Sequence, residues 1–285
     1  MRSFAFYSIK GGTGRSLSLA NVAFILAKRG KRIVCVDFDV MAPGLVSIFN
    51  IPRRVYENKP SVIDLLLALG DSNLGLESLI DMGEILGLKS NQIWLIHAKP
   101  ETKEKYRKLS KNNLWSVASM NLFKTNYLKV IYELKQLDYL FVDSRSGLSP
   151  DALYALTLAE RNVVLFTRMD TQSISGTLHF LNLLRNYNFN LNLILVVTNV
   201  PPGEKSFTIK GVQFKLKREA VARIKELDRS LKGYDVQVSC ILPFNEDFLL
   251  DPKLIYPEEQ SQIAAGYRLL SDLIEEVKEG NKDEL

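Results

Sequence analysis

Residues 8–16 read Ser8-Ile9-Lys10-Gly11-Gly12-Thr13-Gly14-Arg15-Ser16. The apolar run Phe4–Ile9 leads into them. A helical pattern, Ser16–Arg29, follows, with Leu19, Ala20, Val22, Ala23, Leu26 and Ala27 on one face and Gly30 as its stop. A strand that feeds a glycine-rich turn and then a helix is built to hold an anion. Small residues let successive backbone N–H groups curl around phosphate, and the helix N-terminus adds the positive end of its dipole. Ser16 stands where a hydroxyl would hold Mg²⁺.

Outward from this loop, short β-rich runs alternate with longer helical patterns. The expected strands are Phe4–Ile9, Arg32–Asp37, Ile93–His97, Tyr139–Asp143, Asn162–Thr167, Leu193–Thr198 and Val236–Leu242. The expected helices are Ser16–Arg29, about 113–135, 151–159, 172–186, 215–231 and 259–279. Several strands are apolar on both faces, as strands covered by helices on both sides are. The pattern predicts an α/β fold, a single doubly wound, mostly parallel sheet with helices on both faces. No repeat or Pro/Gly linker divides the chain, so residues 1–285 read as one nucleotide-binding domain.

Composition agrees. The chain has 285 residues, 37 Lys+Arg and 32 Asp+Glu, a formal net charge of +5, and is 46% hydrophobic. That excludes a collagen-like or mostly disordered chain. Cys35 and Cys240 are the only cysteines, which leaves no disulfide framework or zinc knuckle and makes a reducing cytoplasm the expected location. The N-terminus lacks the apolar core of a secretory signal, and no apolar run reaches the ~18 residues a spanning helix needs. The terminal Lys282-Asp283-Glu284-Leu285 spells a retention address that nothing upstream would make readable.

Carboxylates cluster at strand ends. Asp37 and Asp39 lie two residues apart in Val36-Asp37-Phe38-Asp39-Val40-Met41-Ala42-Pro43-Gly44, and the run Tyr139–Asp143 ends in Asp143 before Ser144-Arg145-Ser146-Gly147. In a parallel sheet the C-terminal strand ends face the ligand crevice.

The loop departs from the ordinary P-loop at Ile9 and Arg15 and carries an additional Lys10. It resembles the deviant Walker A motif of the ParA/MinD family of ATPases, in the Gly-Arg-Ser form called the KGGVGR-motif branch. That resemblance implies an ATP site with Mg²⁺. Gly11, Gly12, Thr13, Gly14, Arg15, Ser16 and Leu17 would wrap the phosphates. Lys10 would reach the partner's nucleotide across a homodimer that sandwiches ATP. Asp39, in a segment like switch I, would position or activate the attacking water. Asp37 would support Mg²⁺-bound water or the loop. Asp143, in a segment like Walker B and switch II, would hold Mg²⁺ through water, and Arg145 would meet phosphate, the partner subunit or a surface carboxylate. Asn199 in Val196–Pro201 resembles the adenine-reading Asn, and Pro243, Phe244 and Asn245 resemble the loop that packs on the base. Arg15 is larger than the usual lysine and prefers bidentate contacts, so binding is better supported than fast turnover. A slow, nucleotide-dependent dimer switch acting on a partner protein or DNA is expected. The alternative is an ATP-binding adaptor with little hydrolysis.

Other chemistry has no foothold. His97 and His179 lack metal-ligand neighbours in sequence, and there is no nucleophile elbow. The last helical pattern has apolar Leu269, Leu270, Leu273, Ile274 and Val277 with an acidic polar face, which fits core packing and not a basic membrane anchor. Charge is segregated. Lys99–Lys111 carries six basic and two acidic residues, Pro202–Lys232 nine basic and four acidic, and Asp272–Leu285 two basic and six acidic. Lys217, Arg218, Arg223, Lys225 and Arg229, within Lys205–Lys232, offer either a footprint for DNA phosphates or a solvated helix face. Thr171, after the fifth strand, is placed either to cap the helix that follows or to make a dimer contact at the crevice rim.

Overall fold

The computed structural model describes residues 1–69, 72–99, 105, 108, 116–250 and 252–277. Eight strands form the central sheet: β1 (Arg2–Ser8), β2 (Ile33–Asp37), β3 (Ile80–Asp81), β4 (Ile93–Ile96), β5 (Tyr139–Asp143), β6 (Asn162–Arg168), β7 (Asn192–Val200) and β10 (Val238–Pro243). Two more, β8 (Pro202–Ile209) and β9 (Val212–Leu216), form a separate antiparallel hairpin. The sheet order is β10-β7-β6-β1-β5-β2-β4-β3, parallel throughout except for β3 against β4. Each expected strand is present within two residues of its bounds, and the fold is the expected mostly parallel α/β sheet.

The helices are α1 (Arg15–Lys28), the short α2 (Leu45–Ile48), α3 (Arg53–Tyr56), α4 (Val62–Leu67) and α5 (Ser72–Glu77), then α6 (Val117–Phe123), which a π-helical turn Lys124–Leu128 joins to α7 (Lys129–Lys135). There follow α8 (Pro150–Leu158), α9 (Thr171–Asn186), α10 (Arg218–Leu231), α11 (Asp247–Leu250) and α12 (Gln262–Glu276).

Alternation along the strands separates two apolar layers. Phe4, Phe6, Cys35 and Phe141 join Leu19, Val22, Ala23 and Leu26 of α1 and Leu270 and Ile274 of α12. Val34, Val36, Leu140 and Val142 join Phe123, Tyr127, Tyr154 and Leu158. The Phe141 ring meets Phe4 and Phe6 edge-on, with centroids 6.1 and 5.2 Å apart. Phe141→Ala would cost about 3–5 kcal/mol by the cavity it leaves. This rigid centre holds β1, β2 and β5, whose C-terminal ends carry the site.

The acidic face of α12 is paired. Arg29 reaches Asp272 at 2.7 Å and Glu275 at 2.5 Å, and Arg2 donates to the Glu275 and Val277 carbonyl oxygens at 2.8 and 3.1 Å. Leu269, Leu270 and Ile274 are buried, as the core-packing reading expected. No helix among the described residues is long and apolar enough to cross a membrane.

Two expectations are corrected. The helix expected over 215–231 begins at Arg218; Lys215 and Leu216 belong to β9, and Lys217 is the helix N-cap. The turn Lys210-Gly211, with φ of 48° and 81°, closes the hairpin and commits both arms to strand. Thr171 does not cap α9; Asp170 does, accepting the Ser173 N–H at 2.9 Å. Most of Lys99–Lys111, residues 113–115 and the terminal acidic residues from 278 onward lie outside the described residues. Of that basic run, Lys99 and Lys105 pair with Asp64 at 3.8 and 2.7 Å.

Candidate functional site

The loop after β1 takes the form its glycines require. Gly12 and Gly14 have φ of +70° and +73°, a region that costs other residues about 1–2 kcal/mol. Gly14 is the α1 N-cap, without a side-chain cap hydrogen bond, and the first turn holds no acidic residue. The N–H groups and dipole at this helix start therefore face the loop with no internal anion. Lys10, Gly11, Gly12 and Gly14 are exposed, Ser16 and Leu17 are half-buried, and Thr13 is buried. Among the described residues Thr13 Oγ1 has no hydrogen-bond partner.

Two loops close on this one. Gly44, ending the loop that leaves β2, lies beside Ser16: a Cβ built on it would be 3.8 Å from the Ser16 Cβ. Ser146, in the loop that leaves β5, lies 3.7 Å from the corresponding point on Gly11. Gly147 donates its N–H to the Ser8 carbonyl at 3.0 Å, and the Tyr7 hydroxyl donates to the Gly147 carbonyl at 3.0 Å. Tyr7 and Ser8 are site residues that motif reading missed. Their one visible signal was polar atoms at the end of an otherwise apolar strand.

Asp37, Asp39 and Asp143 gather where β2 and β5 end in register. Asp37 is buried, and both its oxygens serve the chain: Oδ1 accepts the Asp39 N–H at 3.1 Å, and Oδ2 accepts those of Gly44 and Leu45 at 3.2 and 3.3 Å. Asp37 is thus the anchor of the β2 loop. Burial lifts its carboxyl well above the ordinary range, and the Asp143 charge adds to the rise. Burial also raises Asp39, against the pull of Arg15, and raises Asp143, against Arg15 and Ser16. Among the described residues Asp143 Oδ2 is buried with no hydrogen-bond partner.

Arg15 turns inward. Its side chain is 8% exposed; Nε donates to Asp143 Oδ1 at 3.2 Å, Nη1 to Ser8 Oγ at 3.0 Å and Nη2 to Asp39 Oδ2 at 3.0 Å. Arg145 stands 3.8 Å from Asp151, a buried carboxylate of its own chain and not the surface partner expected. Lys10 makes no side-chain hydrogen bond or ion pair among the described residues, so its ammonium is unspent.

The sheet also brings Asn199 and Pro243–Asn245 together. Val200 and Pro243 are register partners on β7 and β10, and Phe244 donates its N–H to the Val200 carbonyl at 2.8 Å. Asn199 is exposed with φ 54°, so its amide is offered to solvent at the C-terminal edge of the sheet. Asn245 Oδ1 accepts the Asp247 N–H at 3.0 Å and is partly spent on its own turn. Strand β6 lies between this pair and β1.

The donor set fits a magnesium nucleotide. An orphaned Thr13 hydroxyl and the unclaimed helix start suit phosphate, and Ser16 with the orphaned Asp143 oxygen suits a hard cation among waters. Among the described residues no group of three or more His, Cys, Asp or Glu side chains forms a metal site by itself.

Known proteins show the same design. Residues 4–248 match the family model described as CobQ/CobB/MinD/ParA nucleotide binding domain. The septum site-determining protein MinD of Escherichia coli K12 is 26% identical over 251 residues, covering 84% of this chain and 83% of its own. The fold is similar to that of Pyrococcus horikoshii MinD complexed with Mg-ADP, with TM-score 0.65, 16% identity and 96% of each chain covered. It is also similar to a chain of the Aquifex aeolicus MinC:MinD complex, with TM-score 0.66, 18% identity, and 99% and 98% covered. This chain belongs to the CobQ/CobB/MinD/ParA nucleotide-binding family.

Proposed function

We propose that the protein is an ATPase of low turnover, a single domain over residues 1–285, which uses MgATP to switch between monomer and homodimer. The observation that carries this reading is the uncapped α1 start, with Gly12 and Gly14 turned for phosphate, facing Asp39 and Asp143. Backbone N–H groups from Gly11 to Leu17 hold the phosphates. The hydroxyl of Ser16 would hold Mg²⁺ and the free oxygen of Asp143 would hold it through water, with Asp37 fixing the loop beside it. When bound, the ion supplies positive charge that draws electron density from the γ-phosphate. Asp39 orients the attacking water and takes up its proton. The ammonium of Lys10 crosses to the phosphates of the second subunit. Asn199, with Pro243 and Phe244, receives adenine, using an amide that can donate and accept at once.

The test is light scattering of wild type and Lys10→Ala with and without MgATP. A doubled mass with ATP in wild type alone is the expected result. A wild type that stays monomeric at saturating ATP overturns the sandwich.

An ATP-binding adaptor with little hydrolysis is the second reading. The Arg15 bond to Asp39 Oδ2 favours it, since it occupies that carboxylate. Single-turnover hydrolysis by wild type and Arg15→Lys separates the two. Mg²⁺-dependent turnover that Asp39→Ala abolishes removes the adaptor.

The output of the switch is a partner protein or DNA in the cytoplasm. DNA is supported by the nine basic residues from Lys205 to Lys232, all exposed and none in an ion pair among the described residues. The hairpin and the helix that follows it carry them, and exposed cations of this kind suit phosphates.

A further inference from the structure

Arg15 bonds three groups on three separate elements: Ser8 at the end of β1, Asp39 at the start of the loop leaving β2, and Asp143 at the end of β5. A guanidinium has enough N–H donors in one plane to do this; a lysine ammonium is a single point. The side chain also starts at the first residue of α1, directly behind the N-cap Gly14, where phosphate would be held. One cation is therefore placed between two sets of anions that both want it. Asp39 Oδ2 lies 3.0 Å from Nη2, so the carboxylate assigned above to the attacking water is turned onto Arg15. Asp39 also holds its own loop, accepting the Ala42 N–H at 3.3 Å through Oδ1. Moving Asp39 would thus move that loop.

We infer that Arg15 is a positioning residue whose exchange couples phosphate capture to the release of Asp39. This rests on the nucleotide reading above. Before ATP arrives, Arg15 holds Asp39 and Asp143. The nucleotide's terminal phosphate competes for the same N–H donors. When one of its oxygens replaces Asp39 Oδ2, the carboxylate and its loop swing free. No covalent bond forms or breaks in this step; one charge-assisted hydrogen bond is traded for another. The β5 loop receives the same signal through Asp143. An arginine at this position is thereby useful to a switch, because filling the loop and freeing the carboxylate become one event.

The test is a double-mutant cycle on nucleotide affinity, with wild type, Arg15→Lys, Asp39→Asn and the double variant titrated with fluorescent ATP and Mg²⁺ at equilibrium. With Asp39 in place, Arg15→Lys loses phosphate contacts and also loses a restraint that binding must break, so the two effects offset. In the Asp39→Asn background the amide oxygen keeps only a weaker neutral bond to Arg15, so the loss dominates. The expected signature is a Kd penalty for Arg15→Lys about tenfold larger in the Asp39→Asn background, a coupling the cycle isolates from the charge effect of Asp39 itself. Penalties equal within twofold in both backgrounds would mean that Arg15 does not exchange, and overturn the inference. Should Arg15→Lys fail to fold, wild type is read alone by amide hydrogen exchange at Ala42, whose N–H Asp39 Oδ1 accepts. That amide should exchange faster with a non-hydrolysable ATP analogue and Mg²⁺ bound, and unchanged or slower exchange overturns the proposal. If wild type binds no ATP, the nucleotide reading falls and the exchange falls with it. If wild type binds ATP without coupling, only the exchange falls.

Discussion

Gly147 is tied to the phosphate loop from both sides: its N–H donates to the Ser8 carbonyl at 3.0 Å, and its carbonyl accepts the Tyr7 hydroxyl at 3.0 Å. Its φ is +81°, and a Cβ there would meet only the Ile9 carbonyl oxygen, at 3.8 Å. Gly147→Ala therefore has room for its methyl group but strains the backbone. The expected cost is about 1 kcal/mol, or a Tm lower by about 2–4 °C in a scanning calorimeter. An unchanged Tm would show that the clasp does not hold Gly147 in this conformation.

The second prediction concerns Asp143. Burial raises its carboxyl, so the folded state favours the protonated form. Stability from this group is then present at low pH and is lost as the pH climbs through the raised value. Asp143→Asn keeps an acceptor for Arg15 and removes the buried charge. At neutral pH the variant should melt above wild type without nucleotide, and the gap should narrow on acidification. Its Mg²⁺-dependent turnover should vanish. A variant that melts below wild type across the whole pH range contradicts this account.

His97 offers the opposite pH dependence. Its ring is fully buried against Tyr56, and neither nitrogen has a hydrogen-bond partner among the described residues. Burial, with Lys99 and Lys59 nearby, pushes its pKa down to about 4, and Asp64 pulls the other way. The neutral ring is favoured, so its stability is present above the usual 6.5 and is lost as the pH falls toward about 4. His97→Leu should raise Tm at pH 7 and flatten the fall between pH 7 and 5. Parallel curves for variant and wild type would mean that folding leaves the His97 pKa unshifted.

Salt dependence tests the basic surface. Reversing Arg223 and Lys225 to Glu should weaken duplex DNA binding uniformly across sequences. The slope of log K against log salt should fall by about two. If binding is absent in wild type at low salt, the residues are a solvated helix face.

Most of the sheet was legible because β1, β2, β5 and β6 are apolar on both faces, a pattern few other elements tolerate. The hairpin was not. Pro202-Gly203-Glu204-Lys205 has the composition of a loop, and Lys215–Lys217 extends the amphipathic spacing of α10 backward by three residues. Only cross-strand pairing, Phe207 with Phe214 and Ile209 with Val212, separates strand from helix there, and pairing is non-local. Within the site, spacing placed Asp37 and Asp39 correctly on one edge. The direction of Arg15 was beyond reading, because a side chain that long takes its partners from three distant segments. Asp37 likewise shows its task only when the loop at Gly44 and Leu45 has folded back onto it.

The pairing of Arg29 with Asp272 and Glu275 spans 243 and 246 residues of chain. During synthesis, β1, the phosphate loop and α1 leave the ribosome long before α12 exists to cover them. Until then the apolar back of α1 has only part of its packing. The packing of α1 behind the phosphate loop is thus completed only when α12 docks against it.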